Sequence, residues 1–261
     1  MATLANAPLI EAWVELRWGK SQKRPPGQLT EFAFGMQDTD FFSGQFRKVA
    51  IQNGFTTVEE INPTVPNIIP HIVKFRFRKG PGVWPCLQTG LGLFTVNQIN
   101  EGYEWEEFKR GVIDGLRLLD EGHPSGLSQL DRFGIELRYR DGFPFSEGQT
   151  APEFLTNNMK IGFTLLPDFF GFEPIGKDFS GMRLSFTLST SSPKGFLITE
   201  LSQGEINGQP GFIMDMVVRS SQENCPDWNI GAVSAWLESA HEIHRHAFKT
   251  LISPVFARTF Q

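Results

Sequence analysis

Between positions 10 and 18, Val14, Leu16 and Trp18 alternate with Glu15 and Arg17, the period of two that a half-buried strand requires. Phe133, Ile135, Leu137 and Tyr139 alternate with Glu136, Arg138 and Arg140 in the same way. Both runs carry the phrase hydrophobic-Glu-Leu-Arg-aromatic, and Glu15 and Arg17 precede Glu136 and Arg138 by one shared shift of 121 residues in a chain of 261. The pattern predicts two equivalent opening strands, one at the head of each half.

After the first strand, "KSQKRPPGQLT" reads as a surface loop from its charges and Pro-Pro-Gly. Phe42, Phe46, Val49 and Ala50 then recur at helical spacing behind Asp38 or Asp40 as N-cap, which predicts a helix over about 38–53. With Pro63, Pro66 and Pro70 in it, the segment 56–70 is expected to be an ordered loop without a regular element. In "HIVKFRFRK", Val73, Phe75 and Phe77 alternate with Lys74, Arg76 and Arg78. "VWPCLQ" and "LFTVNQ" read as two further short strands between glycine-rich turns. Trp105, Phe108, Val112, Leu116 and Leu119 mark an amphipathic helix ending near Gly122.

The second half follows its opening strand with a short helix at 151–159 and strand-like runs at 160–166, 181–189, 195–200 and 211–219. It closes on a long helix from about 229, with Val233, Trp236, Leu237, Ala240, His244 and Phe248 on one stripe. The shift of 121 also carries Val112 onto Val233, Leu116 onto Leu237 and Leu119 onto Ala240. These elements predict an α+β protein with mainly antiparallel sheet, built as two tandem pseudo-repeats of strand, helix, three or four strands, helix, over residues 1–126 and 127–261. By element order it is TATA-binding-protein-like or helix-grip-like, an analogy of architecture that carries no function.

Composition changes this picture little. Hydrophobic residues make up 40% and charged residues 20%, so the chain is expected to fold throughout. Phe occurs 25 times against Tyr twice, which suits dry interiors better than polar contact surfaces. A net charge of −5 argues against a general nucleic-acid binder, while leaving room for a local basic face. Cys86 and Cys225 form no CxxC, which fits a reducing compartment and gives no zinc framework. The opening residues lack a basic segment followed by an apolar stretch, and no apolar run approaches membrane-spanning length. A cytoplasmic protein without a membrane is therefore expected.

Candidate chemistry is sparse. His241 and His244 share a helix face and His246 does not. No HExxH is present, and the bland expectation is that His244 packs in the apolar stripe while His241 and His246 flank it at the surface. Asp215 interrupts "FIMDMVV" on the polar side of its strand, with no carboxylate partner that spacing places beside it. The stronger candidate is a charged sheet face: Arg17, Arg76, Arg78, Arg138 and Arg140, with Lys74 nearby and Glu15 and Glu136 as partial offset. If their strands are neighbours, such a face could hold phosphates or an acidic partner through arginine forks. Otherwise it is a solvated face of cross-strand ion pairs. "QTGLGLF" matches neither a dinucleotide fingerprint nor a P-loop, and no GxSxG elbow occurs. Phe163, Phe169, Phe170 and Phe172 are expected either to line an apolar cavity under the last helix or to be core. No catalytic residue, metal site or cofactor is assigned.

"NAPLIEAWVELRW" at 6–18, "LQTGLGLFTVNQ" at 87–98, "YEWEEFK" at 103–109 and "WLESAHEIHRHAFKTLI" at 236–252 together resemble one sporadically distributed prokaryotic family of about this length. The family pattern of Leu, acid, two residues, His is met by Leu237, Glu238 and His241, and its usual aliphatic three positions later is His244 here. The resemblance brings no catalytic residue. Its patchy distribution implies an accessory role of the kind that anti-phage defence genes play.

The expectation is thus a non-enzymatic binding or adaptor protein acting through a protein partner or a self-association interface. The alternatives are a helix-grip-like protein holding a small apolar or phosphorylated ligand, and a hydrolase or nuclease using acid and histidine residues of the second half. The first requires a broad exposed patch, the second a deep Phe-lined pocket, and the third convergence of His241 or Asp215 with another polar group in a cleft.

Overall fold

In β1 (Leu9–Trp18) the alternation is realised residue by residue: Ala12, Val14, Leu16 and Trp18 are buried, while Trp13, Glu15 and Arg17 point the other way and stay partly exposed. The computed structural model describes residues 7–22, 31–162, 165, 167–170 and 179–260. β1 pairs antiparallel with β7 (Leu93–Ile99) on one side and with β8 (Arg132–Pro144) on the other. Glu15 and Glu136, the matching residues of the two Glu-Leu-Arg phrases, are direct register partners across β1 and β8.

From this central pair the sheet grows outward in both directions. Beyond β7 lie β6 (Cys86–Gly90), β5 (Phe75–Arg78) and β4 (Thr57–Glu60); beyond β8 lie β11 (Gln209–Ser221), β10 (Lys194–Ile206) and β9 (Arg183–Ser191). All eight neighbouring pairs of this nine-stranded sheet are antiparallel. The chain is therefore α+β with a large antiparallel sheet and several helices.

The longer described helices pack on one side of it. Phe46 and Ala50 of α2 (Phe46–Gln52), with Phe108, Val112, Leu116 and Leu119 of α3 (Trp105–Gly122), join Val14, Leu16, Phe77, Phe94 and Leu137 in one core. Gly115 lets α3 approach closely: a Cβ there would lie 2.9 Å from Val96 Cγ2 and 3.2 Å from Leu87 Cδ2. A second core gathers Phe154 and Leu155 of α4 (Ala151–Asn158) and Ile252 against Phe143, Leu201, Phe212, Met214 and Met216. Val233, Trp236, Leu237 and Ala240 of α5 (Ile230–Leu251) enter the first core, and its Phe248 and Leu251 pack against the second. Burying each Val, Leu, Ile, Phe or Met side chain among these favours the fold by about 1.5–3 kcal/mol. α5 is capped at its start by Asn229, whose side chain accepts from the Ala232 N–H at 2.9 Å.

Several expectations need correction. The segment 56–70 does contain a regular element, β4, because the prolines begin at Pro63 and leave Thr57–Glu60 free to pair with β5. The helix expected over 38–53 runs from Met36 to Gln52 as α1 (Met36–Asp40), a π-helical turn over Phe41–Gln45 and α2. Its start is set by Asp38, whose carboxylate accepts from the Gly35 N–H at 2.9 Å and from Trp18 Nε1 at 2.7 Å. The loop after β1 carries a small hairpin, β2 (Lys20–Gln22) with β3 (Glu31–Ala33). Of the strand expected at 160–166, residues 160–162 and 165 are not in a strand, and 163, 164 and 166 lie outside the described residues. A short helix, α6 (Pro254–Ala257), follows α5. No helix among the described residues is long and apolar enough to cross a membrane.

Candidate functional site

The side of the sheet opposite the helices carries most of its charged positions, and none of α2 to α5 lies on it; on its β6–β7 part Cys86, Gln88, Leu93, Thr95 and Asn97 are buried, and the exposed positions lie mainly on β1, β8, β11, β10 and β9. Register places Glu11, Trp13, Glu15 and Arg17 of β1 beside Arg140, Arg138, Glu136 and Gly134 of β8, with Asp215, Val217 and Arg219 of β11 in the next row. Charges here are paired. Glu136, itself buried, accepts from Arg138 at 3.1 Å and from Arg219 at 2.5 Å. Arg140 grips Asp215 in a two-point fork, both bonds 2.9 Å. Glu15 is held by Arg17, and Glu11 accepts from Asn97 Nδ2 at 2.8 Å. Burial raises the Glu15 carboxyl above its ordinary value, Arg17 works against this, and Glu136 opposite adds to the rise. Trp13 is half-buried at the centre, with the Arg138 and Arg140 guanidinium carbons 5.0 and 5.6 Å from its ring centre.

The five arginines singled out from the sequence fall into two groups. Arg17, Arg138 and Arg140 meet on the central strands. Arg76 and Arg78 lie on β5, three strands away from β1 and so about 14 Å off at ordinary strand spacing. There both pair with Glu59, at 3.4 and 3.3 Å, and Arg78 also stacks 4.1 Å over Trp84. Lys74 is buried, its ammonium donating to the carbonyls of Asn62 and Val65. Arg219 and Trp13 complete the central group and were legible by parity: Arg219 shares its side with Asp215, and Trp13 with Glu15. Glu11, Glu59, Glu200 and Asp215 add acid to this face beyond Glu15 and Glu136, and Glu200 pairs with Arg183 at 2.7 Å.

Asp215 and His241 sit on opposite sides of the sheet. On the helix side, His241 is not a surface residue: it is half-buried, its ring stacks 3.9 Å from Trp105, and its Nδ1 lies 2.8 Å from the Tyr139 hydroxyl. Tyr139 is also 2.8 Å from the Tyr103 hydroxyl. The chain's two tyrosines thus share one hydrogen-bonded run, which in the Nε2–H tautomer passes from Tyr103 through Tyr139 to His241. His244 is buried, as the apolar stripe predicted, and stacks 3.7 Å from the Tyr139 ring, while His246 is exposed. Burial pushes His241 down to about 4 and His244 down to about 3, so both are neutral at pH 7. Two positions along β8 from Tyr139, Asp141 is fully buried with Oδ2 unpartnered, and burial followed by the nearby Asp215 raises its carboxyl to about 8. At neutral pH it is a carboxylic acid. Nothing in the sequence distinguishes this aspartate from the exposed ones except its parity with Tyr139.

Two open grooves accompany these features. One of about 610 Å³ runs between α3 and the loops before β6 and after β7, lined by Trp84, Gln98, Glu101, Glu107 and Arg110 among others. The second, about 510 Å³, lies between α5 and β10, with Leu197, Glu238, Ile243 and Ala247 in its walls. Of the phenylalanines expected to line a cavity, Phe169 is exposed and lines neither groove among the described residues, and Phe163 and Phe172 lie outside them. Among the described residues no group of three or more His, Cys, Asp or Glu could hold a metal ion. Compared with protein-family models, with curated proteins and with solved structures, the chain matches none.

Proposed function

We propose that the chain is a non-enzymatic adaptor that receives a protein partner on the open face of its sheet. One observation carries this reading: the longer described helices cover one side of a nine-stranded sheet, while the other presents Trp13 between Arg138 and Arg140. Trp and Arg side by side at the surface are the residue types that dominate protein interfaces. The ion pairs beside them neutralise the face internally, which suits a mixed-charge protein surface better than nucleic acid, whose binding needs uncompensated cations. A small-ligand role is less well supported, because both grooves are open and mostly polar or shallow. Hydrolytic chemistry is less well supported because Asp215 is tied up by Arg140 and His241 faces the opposite side. An accessory system of the anti-phage kind is where such an adaptor would act.

The test is photo-crosslinking in cells of the source organism, with a crosslinking residue in place of Ile198 on the open face or of Arg117 on the outer surface of α3. One protein is expected to be captured from position 198 and not from 117. Trp13→Ala, which removes a side chain on the open face and not one from either core, is expected to weaken that partner's affinity by about tenfold or more. Equal capture from both positions, or full affinity in a Trp13→Ala/Arg138→Glu variant, would sink the proposal.

A further inference from the structure

The two borders of the sheet are unlike. β4 is four residues long and carries Glu59 and Glu60, the short, charged design that discourages pairing with another chain. β9 has nine residues, no proline and a single charge, Arg183 at its first position. Among the described residues nothing pairs with its outer edge. Its backbone groups on that edge form a ready template for another strand.

The side chains of β9 specify which strand. By register with β10, Leu184, Phe186 and Leu188 face the helix side, opposite the buried Leu201, Thr199 and Leu197. Phe186 is nevertheless 37% and Leu188 54% exposed, and the groove of about 510 Å³ opens beside them, between Leu197 of β10 and α5. On the open side lie Arg183, Ser185, Thr187, Ser189 and Ser191. An antiparallel partner with this same sequence, set so that all nine residues overlap, places Thr187 opposite itself. Phe186 then faces Leu188 of the second copy, Ser185 faces Ser189, and each Arg183 faces a serine and not the other arginine. Apolar meets apolar on the helix side and polar meets polar on the other, the cross-strand pairing that stabilises sheets. A parallel arrangement would set the two arginines side by side.

We infer that the occupant of this edge is a second copy of the chain, with the two β9 strands pairing antiparallel about Thr187 and joining the sheets into one continuous sheet. The open face used for the partner is unaffected by this contact, so either reading can fail without the other. The contact is isologous, with a two-fold axis through Thr187, and therefore closes at two copies.

Sedimentation velocity of the full chain over a concentration series is expected to show a monomer–dimer equilibrium, and Leu188→Lys, a change at an exposed position, is expected to raise its dissociation constant about tenfold or more. Register is read with Thr187→Cys: because Cys86 and Cys225 are buried, mild oxidation should link two copies through position 187 and should leave Ser189→Cys unlinked. A chain that stays monomeric throughout, a dimer indifferent to Leu188→Lys, or a dimer that links through 189 and not through 187 would each overturn the inference.

Discussion

Asp141→Asn is expected to stabilise the protein at pH 7 by up to about 4 kcal/mol and to change the shape of its stability–pH curve. The carboxyl is held protonated at neutral pH although its ordinary value is 3.8, and each pH unit between the two values costs about 1.4 kcal/mol. Asparagine fills nearly the same volume without a proton to hold. The sign follows from proton counting. Asp141 binds a proton in the folded state that the unfolded chain releases, so its contribution is fully present below about 3.8 and is lost as pH rises to about 8. His241 and His244 do the reverse: they stay neutral when folded, and stability is lost as pH falls from 6.5 towards about 4 and about 3. Three histidines, His71 being lowered by burial as well, oppose one acid below pH 6.5, and the acid acts alone above it, so the wild-type curve peaks near 6.5. Glu15, also raised, works to flatten the acid limb, and Asp38 and Glu238, both lowered, steepen it. In Asp141→Asn the fall between pH 6.5 and 8 disappears. Urea unfolding at a series of pH values measures this, and a variant that keeps the descending limb would show that Asp141 is ionised in the folded protein.

How much of this was legible in the sequence depends on whether a feature is local. Alternation in β1 and β8, the apolar stripes of α3 and α5 and the glycine-rich turn before Leu93 all act within a few residues, and their elements appear where the pattern puts them. β4 was hidden by three prolines that begin just after it, and the split of the helix at Phe41–Gln45 into a π-helical turn has no composition signal. For the charged face, parity gave the correct side of each strand, but strand order decides which arginines are neighbours. Arg76 and Arg78 lie near the β4 edge because β6 and β7 come between β5 and β1. The pairing of Glu15 with Glu136 is likewise a product of order: the two phrases lie 121 residues apart in the chain and meet only because β1 and β8 share the centre.

His241 and His244 illustrate the same limit from the other side. Helical spacing put them on one face, and nothing more, because what they touch comes from β8 and from the start of α3. The contacts bind three elements: Trp105 at the start of α3 with Tyr103 just before it, Tyr139 on β8 and His241 on α5. Lys109 of α3 also pairs with Glu238 of α5, and Trp105 Nε1 donates to Glu238 at 3.3 Å. With its imidazoles neutral and its rings stacked, the cluster ties the two long helices to the sheet as a clasp, on the side away from the open face.

Tyr139→Phe is therefore expected to destabilise the protein by about 2–3 kcal/mol, through the hydroxyl alone, since the ring and its stack on His244 are kept. Removing that oxygen strips the Tyr103 hydroxyl and His241 Nδ1 of a buried partner at once, and a buried polar group left unpaired costs about 1–3 kcal/mol. Adding Tyr103→Phe to Tyr139→Phe should cost less than the sum of the single changes, because only His241 then remains unpaired; this double-mutant cycle isolates the coupling between the tyrosines. Urea unfolding at pH 7 reads all three variants, with the denaturant slope expected to stay at the wild-type value. A structural clasp also predicts that capture of a partner from position 198 is unchanged in Tyr139→Phe under conditions where the variant is folded. If instead the single variant is as stable as wild type and partner capture is lost, the tyrosine–histidine run belongs to the working surface of the protein, and the division between a helix side that holds the fold and a sheet side that binds is wrong.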